Sequence, residues 1–361
     1  MRMYKLEDIR KIHLEVTQRC QASCPMCDRN QNGGKLNPHI DLSELSLEDC
    51  KKIFSLNFIK QLDTLMMCGN LGDPIIANDT LEIFEYFRTY NPTMWFSMHT
   101  NAGARTTEWW KDLAKIFGKN GSVIFSIDGL EDTNHIYRQN VIWKNIVNSA
   151  KSFIDAGGRA RWDFLIFEHN QHQVEIAREI SVQMGFEKFI PKKTARFVTA
   201  NVNPKENHEI KDRKGNIKTE IKKPKAEYQN SALKEQNMLI EKYGSMDAYY
   251  DQVPIVCKVK DDGNLFITAE GLALPCCWTA GRMYKWWYID PKVEQIWKFI
   301  DQAGGKDKLN AKNNGLENVF KTGIFDEIER SWLKSSCKDG KLKVCSMKCG
   351  KEFDPFTKQF E

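Results

Sequence analysis

The chain has 361 residues and a mass of 41.9 kDa, with 41% apolar and 28% charged residues, which excludes a collagenous, low-complexity or wholly disordered chain. No run of about 18 apolar residues occurs and the N-terminus carries no apolar secretory stretch, so a cytoplasmic location without membrane spans is expected. The net charge of +5 is concentrated: residues 192–225 hold eleven Lys and Arg against four Asp and Glu, leaving the rest of the chain slightly acidic.

Apolar strand-like runs at residues 11–17, 64–68, 95–100, 123–127, 160–167 and 188–197 alternate with helical patterns at 47–56, 80–90, 106–117, 143–156 and 172–184. Asp79, Thr106 and Asn170 stand where helix N-caps belong, and Gly157-Gly158 and Gly185 follow helix ends. Six β/α units in series predict an α/β fold, a partial (β/α)6 TIM-like barrel over residues 8–197, with chemistry at the C-terminal ends of its strands. Residues 198–250 show no clear period and predict a basic linker or insertion with a short helix near 233–243. From 251 to 361 a small α+β, cysteine-rich domain is expected, opening with a hairpin around Glu270-Gly271 and carrying helices near 293–301 and 324–335.

Eleven cysteines are an odd number for a disulfide framework and point to metal-binding or catalytic thiols. The first group, Cys20-Gln-Ala-Ser-Cys24-Pro-Met-Cys27, follows the first strand. Three thiols in one loop can converge on a single metal site. Structural zinc prefers four ligands from two short pairs. A cubane iron–sulfur cluster also normally takes four cysteines, so three would leave one iron open to bind a small molecule. The alternatives are a zinc site completed from elsewhere, or three unligated core cysteines.

A Cys-x3-Cys-x2-Cys loop after the first strand of a β/α series resembles the radical S-adenosylmethionine (SAM) superfamily. The resemblance implies a [4Fe–4S] cluster on Cys20, Cys24 and Cys27 whose open iron chelates SAM. It also implies reductive cleavage to a 5′-deoxyadenosyl radical that abstracts hydrogen from a substrate, with the protein positioning and shielding the reaction. Gly69-Asn70-Leu71-Gly72-Asp73-Pro74 stands where relatives carry a Gly-Gly-Glu-Pro-like motif, which marks Gly72 and Asp73 for the SAM amino group, the aspartate being shorter than the usual glutamate. Met26 takes a position that packs near adenine in relatives. Thr100-Asn101-Ala102-Gly103 resembles the Thr-Asn-Gly turn, so Asn101 is a further cofactor contact. Ser126-Ile127-Asp128-Gly129 followed by Tyr137-Arg138 resembles members with a cysteine-rich extension. By that likeness Ser126 and Asp128 face the SAM ribose or the substrate, and Arg138 faces the SAM carboxylate, which a guanidinium suits. Asn170 is a SAM-contact candidate or a plain helix N-cap.

The second group reads Cys257, Gly271 and Cys276-Cys277, then Cys337 and Cys345-Ser-Met-Lys-Cys349 in the tail. Cys-x13-Gly-x4-Cys resembles the opening of a SPASM or twitch extension. That likeness implies a second, auxiliary [4Fe–4S] cluster on Cys257, Cys276, Cys345 and Cys349, with Cys337 in reserve and Cys277 a neighbour. Zinc is the alternative there. Cys50 and Cys68 are expected to be structural, as are His99 and His135, while Trp286-Trp287-Tyr288 is expected to pack the extension onto the barrel.

The enzyme so implied takes a small-molecule or peptide substrate and an electron donor such as flavodoxin or ferredoxin. Oxidation, dehydrogenation or crosslinking is the expected outcome, with a redox-neutral isomerase or epimerase next. A non-catalytic iron–sulfur or zinc protein is the rival from another class, and nucleic-acid modification through the basic segment is less favoured.

Overall fold

The computed structural model describes residues 4–198 and 207–361. Its centre is an open sheet of eight strands, ordered β10-β9-β1-β2-β3-β4-β5-β6. The strands are β1 (Lys11–Leu14), β2 (Thr64–Met67), β3 (Trp95–Thr100), β4 (Gly121–Ser126), β5 (Ala160–Leu165), β6 (Lys188–Lys192), β9 (Asn264–Ile267) and β10 (Ala273–Leu274), while β7 (Asn207–Lys211) and β8 (Ile217–Lys222) form a separate hairpin. All neighbours in the large sheet are parallel except β9 and β10. Among the described residues β6 and β10 are not joined, so the barrel is partial.

Helices α1 (Leu47–Ile53), α2 (Leu56–Gln61), α3 (Thr80–Tyr90), α4 (Thr107–Phe117), α5 (Asn134–Tyr137), α6 (Trp143–Asp155) and α7 (Val174–Gln183) connect the parallel strands. Local chemistry sets their starts. Ser46 and Asp49 exchange hydrogen bonds as a capping box on α1, and Thr106 Oγ accepts the Trp109 N–H on α4. Asp79 departs from expectation: its carboxylate accepts the Leu47 N–H at the start of α1 instead of capping α3. Between sheet and helices lies an aromatic layer in which Phe84 meets Phe96 at 5.0 Å and Phe117 at 4.8 Å between ring centres. Both partners are fully or almost fully buried, and truncating Phe117 to Ala would cost about 3–5 kcal/mol.

The C-terminal region does not stand apart. Strand β9 lies parallel to β1 with Lys11 opposite Asn264, and the carbonyl of Gly263 accepts the N–H groups of Arg10 and Lys11. One continuous apolar core runs from Phe96 and Phe125 to Leu265, Ile300 and Phe325. The sixth predicted strand ends at Lys192, after Pro191 has removed a backbone donor, and a short 3-10 turn (Ala195–Phe197) follows. The stretch read as a linker holds the β7–β8 hairpin and helices at Ala232–Tyr243 and Met246–Gln252. Its strands bury only Ile210 and Ile221, too little apolar signal to show a period.

Candidate active site and a second group of thiols

The loop after β1 turns back under tight local control. Cys27 N–H donates to the Cys24 carbonyl at 3.1 Å, and Asn30 N–H donates to the Cys27 carbonyl at 3.0 Å. Arg29 Nε reaches the Gln18 carbonyl at 3.1 Å, and Asn37 Nδ2 ties the loop to the carbonyl of Tyr284 at 2.7 Å. Cys20, Cys24 and Cys27 thereby line one cavity of about 490 Å3, all as free thiols. Cys20 Sγ accepts the Ala22 N–H at 3.4 Å and Asn101 Nδ2 at 3.5 Å. Cys24 Sγ faces Arg138 Nη1 at 3.8 Å. Burial, with Cys24 adding, lifts the Cys27 thiol to about 11. A metal or cluster binding here displaces those protons and neutralises the thiolates. Among the described residues no three Cys, His, Asp or Glu side chains close around a single ion, so the three thiols border open space.

The same cavity is lined by Met26, Gly72, Asp73, Asn101, Ser126 and Arg138. Gly72 is there because nothing larger fits: a Cβ would lie 1.8 Å from the Thr17 carbonyl oxygen. Asp73 Oδ2 accepts both the backbone N–H of Asn101 (2.8 Å) and its side-chain Nδ2 (2.7 Å), while Oδ1 accepts the Ile75 N–H. Burial raises the Asp73 pKa, and the Asn101 hydrogen bond opposes the shift. Asn101 thus joins the turn after β2 to Cys20.

Two expected contacts lie elsewhere. Asp128 is fully buried outside the cavity lining; its carboxylate takes Arg138 Nε at 2.6 Å and the Leu165 N–H at 2.7 Å. Asn170 is also fully buried, its Nδ2 donating to the carbonyls of Asp128 and Leu165 and its Oδ1 accepting the Phe167 N–H. Both fix the turns after β4 and β5, the ordinary use of a short polar side chain where strands end. Asn170 caps no helix with its side chain, since a 3-10 turn precedes α7.

Cavity residues that sequence reasoning missed include Glu15 and Lys348, and Cys277, expected beside the second thiol group, lines this cavity as well. Glu15 accepts the Leu71 N–H at 2.7 Å, and burial raises its pKa to about 7. An acid inside the apolar run Ile12–Val16 was the available signal. Lys348 Nζ has no carboxylate partner among the described residues; it lies 4.1 Å from the centre of the Phe356 ring. Cys68 borders the cavity rather than the core, as does His99, which burial holds near 3, whereas Cys50 is wholly buried and His135 is exposed. The carbonyl of Tyr288 accepts His39 Nε2 at 2.8 Å, which packs the Trp286–Tyr288 segment against the thiol loop.

Cys257, Cys276, Cys345 and Cys349 line a second, smaller pocket. The tail helix Lys343–Cys349 supplies two of them one turn apart. Cys257 and Cys349 interact directly, which raises the former pKa and lowers the latter. Cys277 faces the first cavity, and Cys337 packs beside the Ala232–Tyr243 and Met246–Gln252 helices, its N–H donating to Asp251. Trp278, Val344 and Lys348 border both spaces and form the wall between them.

No family model and no curated protein matches the sequence. Solved structures do. The chain is similar to anSMEcpe with bound AdoMet at a TM-score of 0.52 and 14% identity, covering 98% of this chain and 91% of that one. It is similar to SuiB of Streptococcus suis bound to S-adenosylmethionine at a TM-score of 0.51 and 15% identity, covering 94% and 73%. A third likeness is anSMEcpe with AdoMet and the Kp18Cys peptide, at a TM-score of 0.51 and 14% identity, covering 97% and 94%. The chain spans 60% of SuiB as solved with the precursor peptide SuiA. These neighbours were solved with AdoMet or S-adenosylmethionine bound, and the feature this chain shares with them is the fold, an open α/β barrel. No helix among the described residues is long and apolar enough to cross a membrane.

Proposed function

We propose that this chain is a radical SAM enzyme that abstracts hydrogen from a peptide or small-molecule substrate and oxidises, dehydrogenates or crosslinks it. The observation that carries this reading is one cavity lined by three free thiols of a single loop together with Asp73, Asn101, Ser126 and Arg138. The donor set fits a cluster with one open iron: three thiols from the loop, and space beside them for a ligand. When bound, that cluster and SAM supply a one-electron cleavage that generates a hydrogen-abstracting 5′-deoxyadenosyl radical.

The chain's own groups do the positioning. Arg138, held by Asp128, presents a guanidinium to a carboxylate. Asp73 offers a carboxylate to an ammonium, held in place by the two N–H donors of Asn101, and Met26 supplies apolar wall. Cys257, Cys276, Cys345 and Cys349 suit an auxiliary four-thiolate cluster on the far side of the Trp278–Val344–Lys348 wall.

Anaerobic reconstitution tests the ligand sets. Roughly eight irons per chain are expected, falling to roughly four when Cys257 and Cys345 are both replaced by Ala. Zinc in place of iron at both groups contradicts the reading.

Redox-neutral isomerisation is the second reading, favoured by Cys277 and Cys68, thiols on the cavity wall that belong to neither ligand set. Either S–H bond would break as a C–H bond forms on a substrate-centred radical, leaving a thiyl to be reduced by one electron from the donor protein. Deuterium from heavy water in the product, absent in Cys277→Ala with Cys68→Ala, would identify this route.

A further inference from the structure

We propose that the β7–β8 hairpin is the docking surface for an acidic one-electron carrier protein that delivers its electron to the Cys20–Cys27 loop; this rests on the radical SAM reading above. The hairpin is fastened to that loop. His208 Nε2 donates to the carbonyl of Pro25, the residue next to Cys24, at 2.9 Å, and Lys211 N–H donates to the Asn32 carbonyl at 2.9 Å. At Gly34 the approach is so close that a Cβ would lie 2.3 Å from the Asp212 carbonyl oxygen. Other flanks of the loop are covered: Ser23 N–H donates to Gln139, and Asn37 and His39 bond to the carbonyls of Tyr284 and Tyr288.

The outer face of the hairpin is cationic, and its acids are committed locally. Glu209 pairs with Lys211 at 4.0 Å, Glu220 accepts Asn207 Nδ2 at 2.8 Å, and Asp212 accepts the N–H groups of Lys214 and Asn216 within its own turn. Arg213, Lys214 and Lys218 are exposed, and none has a carboxylate partner among the described residues; exposed Lys35 follows Gly34, which touches Asp212 of the hairpin turn. Ile217 stands 60% exposed among them. One apolar contact ringed by unpaired cations suits a small, transient, electrostatically steered redox encounter. A nucleic acid would also answer the charge, but the attachment beside Cys24 favours an electron carrier.

The test compares the parent with the Arg213→Glu/Lys214→Glu/Lys218→Glu variant, using an acidic flavodoxin as the probe. Binding is measured at low salt and at about 0.3 M salt, where exposed charges are largely screened. Cleavage of SAM is measured with reduced flavodoxin and, separately, with dithionite. Charge reversal is expected to weaken flavodoxin binding and flavodoxin-driven cleavage by about tenfold or more, leaving dithionite-driven cleavage within about twofold of the parent. The dithionite arm also controls for folding, and a milder Lys214→Gln/Lys218→Gln variant should give a smaller loss in the same direction. Flavodoxin binding that is insensitive to salt and to charge reversal overturns the proposal. So does a steeply salt-dependent affinity for a single-stranded RNA oligonucleotide with none for flavodoxin. A parent inert with dithionite refutes the catalytic reading instead, and the binding arm still decides the docking surface.

Discussion

Arg138 donates from Nε to Asp128 Oδ2 at 2.6 Å, and the aspartate is wholly buried while the arginine reaches the cavity beside Cys24. A charge fixed in this way costs little reorganisation when an anionic group arrives. Removing one member leaves the other charged and unpaired inside the protein. Asp128→Asn keeps an acceptor for the Leu165 N–H yet should destabilise the fold by about 3 kcal/mol and abolish SAM cleavage. Urea unfolding beside a 5′-deoxyadenosine assay checks both, and unchanged stability with full activity would show that the pair is dispensable.

Asn101 bridges Asp73 and Cys20. Its replacement by Ala leaves the Asp73 carboxylate short of a donor and should cost about 1–3 kcal/mol. Cys20 also loses its side-chain neighbour. The expected signature is an altered spectrum of the reconstituted protein at the first thiol group, with total iron retained.

Glu15 titrates near 7 instead of its ordinary 4.5, chiefly because it is buried, with the Glu270 charge adding. The native state then holds this proton more tightly than the unfolded chain does. The stabilising contribution is complete below 4.5 and is lost as pH rises through 7. Glu15→Gln, which retains an acceptor for Leu71, should therefore be more stable than the parent near pH 8 by about 3 kcal/mol, the difference vanishing near pH 4. Chemical denaturation of the metal-free protein across this range reads the effect; parallel curves for the two proteins would contradict it.

Gly72→Ala forces the turn after β2 away from Thr17, because the new methyl cannot occupy a space 1.8 Å from a carbonyl oxygen. Loss of SAM binding by equilibrium dialysis, with the far-ultraviolet circular dichroism retained, is the expected result.

Much of this was legible in the sequence because each feature had a local signal. The parallel strands and their helices followed from alternating periods, and Cys20, Cys24 and Cys27 from spacing within one loop. The four-thiol pocket was harder, since Cys257 and Cys349 lie far apart in sequence and meet only through tertiary packing. The pairing of β9 with β1 was invisible for the same reason: four-residue strands carry no label of their partner. Asp128 and Asn170 show why a site role is hard to read at a strand end. A polar residue at a strand end reads as a ligand contact, yet here each satisfies buried backbone groups that would otherwise lack partners. Glu15 left one local trace, an acid within an apolar strand, whereas Lys348 became visible only once the cavity walls were known.

The most direct measurement is formation of 5′-deoxyadenosine by the anaerobically reconstituted chain with dithionite and SAM, run beside Cys24→Ala. Product from the parent and none from the variant is the expected result. An iron-loaded parent that makes no 5′-deoxyadenosine, or a Cys24→Ala protein that makes as much as the parent, would contradict the assignment of this cavity to radical SAM chemistry.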